Sequence, residues 1–220
     1  MPPTDRFVIS FAAEPPQSEV LDERLLALLG EQFLAACADI DSEGEQIGGA
    51  GELRWFPDRS LYGRTYVPAV ARTELGYELF GYASFTLDED GQADELEARA
   101  DFTGDVAEAN PGWQLDLNEM VLGDWRGEDG ERAEMTLIWG APLVAGGAVV
   151  TAELADHAVD QCELRDQRFT LIAPDNYRGD YLELKLWSKL GQQLAAESLY
   201  AEDEDQDEEG DGDEASGADA

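Results

Sequence analysis

From Glu95 to Phe102 the sequence ELEARADF alternates without a break. Leu96, Ala98, Ala100 and Phe102 fall on one side; Glu95, Glu97, Arg99 and Asp101 fall on the other. A period of two belongs to an extended chain with one face covered and one face in water. The preceding stretch GYELFGYASFTL is aromatic-rich and similarly extended, and DEDGQ between the two is a turn signal, so residues 77–103 read as one long β-hairpin with its turn near Asp90 and Gly91. The same period recurs downstream. Trp113, Leu115 and Leu117 alternate after NPG, and Ala133, Met135, Leu137 and Trp139 alternate after RGEDGE. AVVTAEL (148–154), CEL (162–164), FTLIA (169–173) and YLELKLW (181–187) complete the set. The links are too short for crossover helices, which makes neighbouring strands antiparallel.

Before residue 52 the period is different. In SEVLDERLLALLGEQFLAACADI, Leu21, Leu25, Leu28, Leu29, Phe33, Ala36, Cys37 and Ile40 share a helical face, with Ser18 as the N-cap and acids in the first turn. FVISF (7–11) reads as a first strand, and GQQLAAESLYAED (191–203) as a short closing helix. The predicted class is mainly β (α+β). An antiparallel meander forms a curved sheet, sandwich or barrel, with one N-terminal helix (about 18–40) packed on strands that occupy about 52–190. We read residues 1–200 as one globular domain.

Residues 201–220, AEDEDQDEEGDGDEASGADA, carry eleven acids and no base. With no aromatic or branched aliphatic residue to bury, this segment is predicted to be a disordered acidic tail. It does not account for the charge of the chain. All 220 residues hold 50 acids and 14 bases, for −36; without the tail, 39 acids against 14 bases still leave −25. Such a body repels double-stranded nucleic acid and anionic lipid and attracts basic proteins. Two lysines against twelve arginines fit a GC-rich genome or a high-salt cytoplasm equally well. MPPTDRFVIS lacks a signal-peptide pattern, and no apolar run approaches the ~18 residues that span a bilayer. Cys37 and Cys162 read as buried free thiols. The expected setting is the cytoplasm, with no membrane contact and no cofactor.

Most chemistries find no support. His157 is the only histidine and has no nucleophile elbow to serve, so it reads as a surface-loop residue. One histidine and two distant cysteines make a poor zinc set. Among 50 acids some carboxylate pair meets any spacing by chance. TLDEDGQADELE (86–97) overlays a calcium loop in part, but its first position is Thr86 and a strand precedes it, so a hairpin turn explains the same residues. IGGAGEL (47–53) lacks the spacing of a phosphate-binding loop, and RGD at 178–180 is read as chance. The five tryptophans (Trp55, Trp113, Trp125, Trp139, Trp187) could line a barrel cavity, but three of them, Trp113, Trp139 and Trp187, lie in alternating strands and are more simply core.

One stretch departs from the general acidity. RWFPDRSLYGRTYVPAVAR (54–72) places Arg54, Arg59, Arg64 and Arg72 among Trp55, Phe56, Tyr62 and Tyr66, with Asp58 as its one acid. Arginine with aromatics is the composition of interaction hot spots and stacking platforms. The ordinary alternative is that these arginines pair with acids across the sheet. The reading we carry forward is a non-catalytic protein-binding module of inhibitor, immunity, chaperone or adaptor type. It would use these eight residues as its binding patch and take a basic protein as its partner. Two alternatives stand beside it: a small-molecule carrier or enzyme with a tryptophan-lined barrel site, and an acidity that reflects a salty cytoplasm alone.

Overall fold

A computed structural model of the chain describes residues 21–126, 132–177 and 179–199. The expected first strand at 7–11, the Ser18 cap, most of the RGEDGE turn and the tail at 201–220 lie outside the described residues. The helix α1 is Glu23–Ala38, and its cap is Asp22, whose carboxylate accepts from the Arg24 amide at 2.7 Å. Its buried stripe is narrower than the sequence reading. Leu29, Gly30, Phe33 and Cys37 are buried, whereas Leu28 is 45% exposed because it sits a full step around the helix from Leu29. Gly30, which weakens the helix locally, lets it approach the first strand: a Cβ there would already touch Leu53 at 3.4 Å.

Among the described residues twelve strands follow: β1 Ala50–Trp55, β2 Arg59–Leu61, β3 Arg64–Thr73, β4 Glu78–Leu87, β5 Ala93–Thr103, β6 Leu115–Arg126, β7 Arg132–Pro142, β8 Gly147–Leu154, β9 His157–Glu163, β10 Phe169–Asp175, β11 Leu182–Ser188 and β12 Gln193–Ser198. They form three sheets, and every ladder is antiparallel. The first sheet runs β1-β3-β4-β5, with β2 continuing the β1 edge along β3; the second runs β10-β7-β6; the third runs β12-β11-β8-β9. None closes into a barrel.

The hairpin 77–103 is β4–β5. Asp88 holds its turn, accepting from the Asp90 and Gln92 amides at 2.9 and 2.7 Å, and Gly91 takes φ 74°. The carboxylate that a calcium loop would use is committed to its own backbone here. Leu96 and Phe102 are both half-buried on the face under α1, in neighbouring clusters around Leu29 and Phe33. A bulge at Glu95 (φ 47°) sets two β5 residues against Phe85 and brings Ala93 onto the same covered face as Leu96.

The other face of the first sheet packs on the second. Phe56, Leu61, Val70 and Tyr82 meet Met135, Leu137, Trp139 and Ile172. The second sheet packs on the third through Ile138, Phe169, Leu171 and Ala173 against Val150, Leu182, Leu184 and Leu186. The second sheet is therefore covered on both faces, which is why β7 and β10 are almost continuously buried.

Three local expectations need correction. The stretch at 191–203 holds no described helix; Gln193–Ser198 is β12, paired to β11 after a turn with Gly191 at φ 74°. The open edge of β11 outweighs the helical propensity of LAAES, because pairing buries Ala195. Trp113 precedes β6, in a turn, and is 36% exposed, so it is not a core residue. His157 opens strand β9 and is exposed; it does not sit in a loop. His157→Ala should change stability by no more than ~0.5 kcal/mol in urea unfolding, as for other exposed positions without a special role.

One ion pair joins all three sheets. Arg59 on β2 donates through Nη2 to Asp160 Oδ1 on β9, and the Ile172 amide on β10 donates to Asp160 Oδ2 at 3.0 Å. The two side chains are only 3% and 8% exposed. Burial pushes the Asp160 carboxyl above its ordinary range; the Arg59 charge and the amides of Ile172 and Gln161 oppose that rise. Removing one partner of such a pair strands the other in the interior. Arg59→Leu and Asp160→Leu should each cost ~3–5 kcal/mol. The double variant should cost less than the sum by at least ~1 kcal/mol in urea unfolding. Strict additivity would refute the coupling.

Candidate functional site

The edge strand β1 carries Arg54 toward the second sheet and Leu53 and Trp55 toward α1, and Phe56, just past its end, also faces the second sheet. Across from it, the chain turns from β9 into β10 through Arg165–Asp166–Gln167–Arg168. Asp166 and Gln167 take φ 50° and 59°, and Arg165 and Arg168 exchange both backbone hydrogen bonds at 2.9 Å. Two left-handed residues in a two-residue turn make a tight, right-twisted reversal. Arg168 leaves this turn toward β1. Its Nη1 donates to the Trp55 carbonyl at 2.7 Å, and its guanidinium lies 5.8 Å from the centre of the Phe56 ring. Arg54 lies 5.7 Å from the same ring. Phe56 is 5% exposed, so it is a buried ring that meets two cations.

A groove of about 540 Å³ runs along this edge, lined by Arg54, Arg72 and Arg168 with Glu52 as its one acid. A second hollow of about 230 Å³ continues it past Trp55 and Phe56 to Pro57, Arg165 and Arg168. Behind the groove stands a carboxylate cluster. Arg72 Nε lies 3.2 Å from Glu78 Oε2; Arg54 Nη2 lies 3.8 Å from both Glu78 and Asp116; and Asn118 donates to Glu78 Oε1 at 3.1 Å. Glu108, largely exposed, pairs with Arg72 from the other side. A Cβ at Gly140 would collide with the Asp116 carbonyl, so the backbone approach that seats Asp116 requires glycine there.

Arg54 and Arg72 thus have acidic partners. Arg168 has none: among the described residues its side chain makes one bond to a carbonyl and one ring contact, and no ion pair. Arg24, Arg99 and Arg132 are exposed, whereas Arg168 is half-buried and held by a carbonyl and a ring. The arrangement presents cationic N–H donors over an aromatic floor, suited to a carboxylate or other anion.

The structure divides the predicted patch. Arg54, Trp55 and Arg72 line the groove, and Phe56 lies buried beneath Arg54 and Arg168. Arg59 turns inward to Asp160. Arg64 lies eight residues from Arg72 along β3, about 27 Å at strand rise, and is occupied by Glu95 at 3.2 Å, Glu97 at 3.6 Å and Ser84 at 3.2 Å. Tyr66 packs edge-on against Tyr82 at 5.4 Å, and Tyr62 is 81% exposed in the β2–β3 turn. The cross-sheet pairing weighed as the ordinary alternative therefore holds for Arg64 and, in part, for Arg54 and Arg72. Sequence reasoning missed Arg168, Glu78, Asp116 and Asn118. Only RDQR between two apolar strands pointed toward the turn, and DQ lacks the glycine or asparagine that marks such turns.

Comparison with protein-family models, curated proteins and solved structures finds no match. No helix among the described residues is long and apolar enough to cross a membrane. Among them, no cluster of three or more histidine, cysteine or carboxylate side chains is arranged to hold a metal ion.

Burial is the main cause that pushes the Glu78 carboxyl above its ordinary 4.5; Asn118 opposes it, Asp116 adds to it, and Arg72 and Arg54 oppose it. Asp116 is raised in the same direction, again chiefly by burial. A carboxyl that holds its proton more tightly when folded favours the fold as pH falls. Its contribution is complete below the unfolded value and is lost as pH rises through the folded one. Stability should therefore rise as pH falls from neutral toward 4.5 in this part of the molecule, and Glu78→Gln should flatten that slope. Urea unfolding across this range in both proteins measures it, with Glu119, which burial raises to about 7, Asp116 and Asp160 supplying the slope that remains.

Proposed function

We propose that the protein is a non-catalytic binding module. Its recognition site is the groove of Arg54, Arg72 and Arg168 over Phe56, and it takes a carboxylate-bearing segment of a protein partner. The acidic faces around it steer basic regions of the same partner and turn away double-stranded nucleic acid. The cytoplasm is the setting that fits this reading.

The observation that carries it is Arg168. A guanidinium fixed by a backbone carbonyl and an aromatic ring, with no carboxylate partner among the described residues, has lost rotamer freedom before any ligand arrives. Its remaining N–H groups are available for the bidentate geometry that carboxylates accept. The hollow beside Trp55 gives room for an apolar side chain next to the acidic one.

Small-molecule binding is the second reading, favoured by the volume of the groove rather than by the tryptophans. Trp139 is wholly buried, Trp125 packs edge-on against Tyr177, and Trp187 donates to Thr151 at 2.9 Å, so among the described residues the tryptophans share no cavity.

A synthetic oligoglutamate peptide serves as the probe, titrated by calorimetry. Arg168→Gln should weaken its binding about tenfold, the loss of one charge-assisted hydrogen bond at ~1.5 kcal/mol. Arg99→Gln, an exposed arginine away from the groove, should leave it unchanged. Equal effects at the two positions would remove the groove from the proposal. A small aromatic carboxylate that binds more tightly than the peptide would favour the second reading.

A further inference from the structure

The described chain ends close to the groove. Leu199 closes β12 by donating to the Leu182 carbonyl at 3.0 Å, and Glu197, two residues before it, accepts from the Gln114 amide at 3.4 Å. Gln114 is two residues from Asp116, and Asp116 lies 3.8 Å from Arg54. Strand rise and side-chain reach along this path put the end of β12 within about 30 Å of the groove. The sequence that continues from there is the most acidic in the protein: positions 202–214 hold ten acids and no base.

We propose that residues 202–214 of the same chain are the resident occupant of the arginine groove, a tethered anionic segment that an outside partner must displace. The inference rests on the groove being an anion site, as argued above, and adds how that site is regulated. Three observations carry it. The charges are complementary at Arg168, which lines the groove and has no acidic partner among the described residues, whereas Arg54 and Arg72 already face Glu78, Asp116 and Glu108. The reach is sufficient, since the fifteen residues from 200 to 214 span up to ~50 Å when extended. The tether is short, so the local concentration of the segment is in the millimolar range, high enough to compete although each exposed ion pair contributes only ~0–1 kcal/mol. The contacts would be multiple, weak and exchangeable, which suits a segment whose role is to be displaced.

The test uses the full chain. Cys37 and Cys162 are buried, and burial pushes their thiols up to about 11 and about 12, so a nitroxide reagent at neutral pH labels only a new Gly210→Cys. At ~0.01 M ionic strength, where the Debye length is ~30 Å, the label should broaden the amide signals of residues 53–56 and of Arg168 selectively. At ~1 M the broadening should vanish. In parallel, changing the ten acids of 202–214 to their amides should tighten oligoglutamate binding about tenfold at low salt, and Arg168→Gln should abolish that gain. Broadening that is absent or spread evenly, with oligoglutamate affinity unchanged by the amide variant, overturns the tail proposal. If Arg168→Gln still weakens oligoglutamate in that case, the groove reading stands without it. If oligoglutamate ignores Arg168 in both backgrounds, the groove reading itself has failed.

Discussion

The contact between Arg59 and Asp160 is the constraint on which the layered arrangement depends. Each of the three sheets has its own ladders, and none needs the others for its backbone bonds. Asp160 changes that, because one carboxylate receives a guanidinium from the first sheet and a backbone amide from the second while standing on the third. Apolar packing between sheets is non-directional and tolerates sliding. A buried charge pair does not, since a displacement of an ångström or two leaves both charges unpaired. The pair therefore fixes the relative register of the layers, and the hydrophobic clusters on either side of the second sheet fill in around it.

The groove is a product of that register. Its floor and one wall come from β1 and β3, its other wall from the β9–β10 turn, and its acidic backing from β4 and β6. Glu78 and Asp116 hold Arg54 and Arg72 in place at a distance, and their own raised affinity for protons shows how much burial this arrangement requires. Arg168 is held by a carbonyl and a ring, so the carboxylates do not neutralise it.

Period was legible in the sequence and partnership was not. ELEARADF announced β5 and its covered face, and DEDGQ announced the turn, because both signals are local. The division into three sheets was hidden, since hairpins β6–β7, β8–β9 and β11–β12 look alike whichever sheet they join. β12 was misread because LAAES favours a helix in isolation, and the vacant edge of β11 that captures it cannot be seen from the segment itself. The arginine-rich stretch was found by composition. Composition could not foresee that β2 would send Arg59 inward while β3 carried Arg64 to the far end and Arg72 to the groove, nor that Arg168, almost a hundred residues further on, would complete the site. That information resides in the long-range pairing alone.

The β9–β10 turn has a consequence for assembly. Arg168 meets Trp55 across 113 residues of chain, and Arg59 meets Asp160 across 101. Hairpins close within microseconds, whereas contacts between distant parts of the sequence must wait for the intervening chain to be ordered. The wall of the groove is thus set only when the two halves of the molecule have found each other. A nascent or misassembled chain, however well formed its hairpins, presents no such surface, so any partner that reads the groove also reads whether the protein is finished.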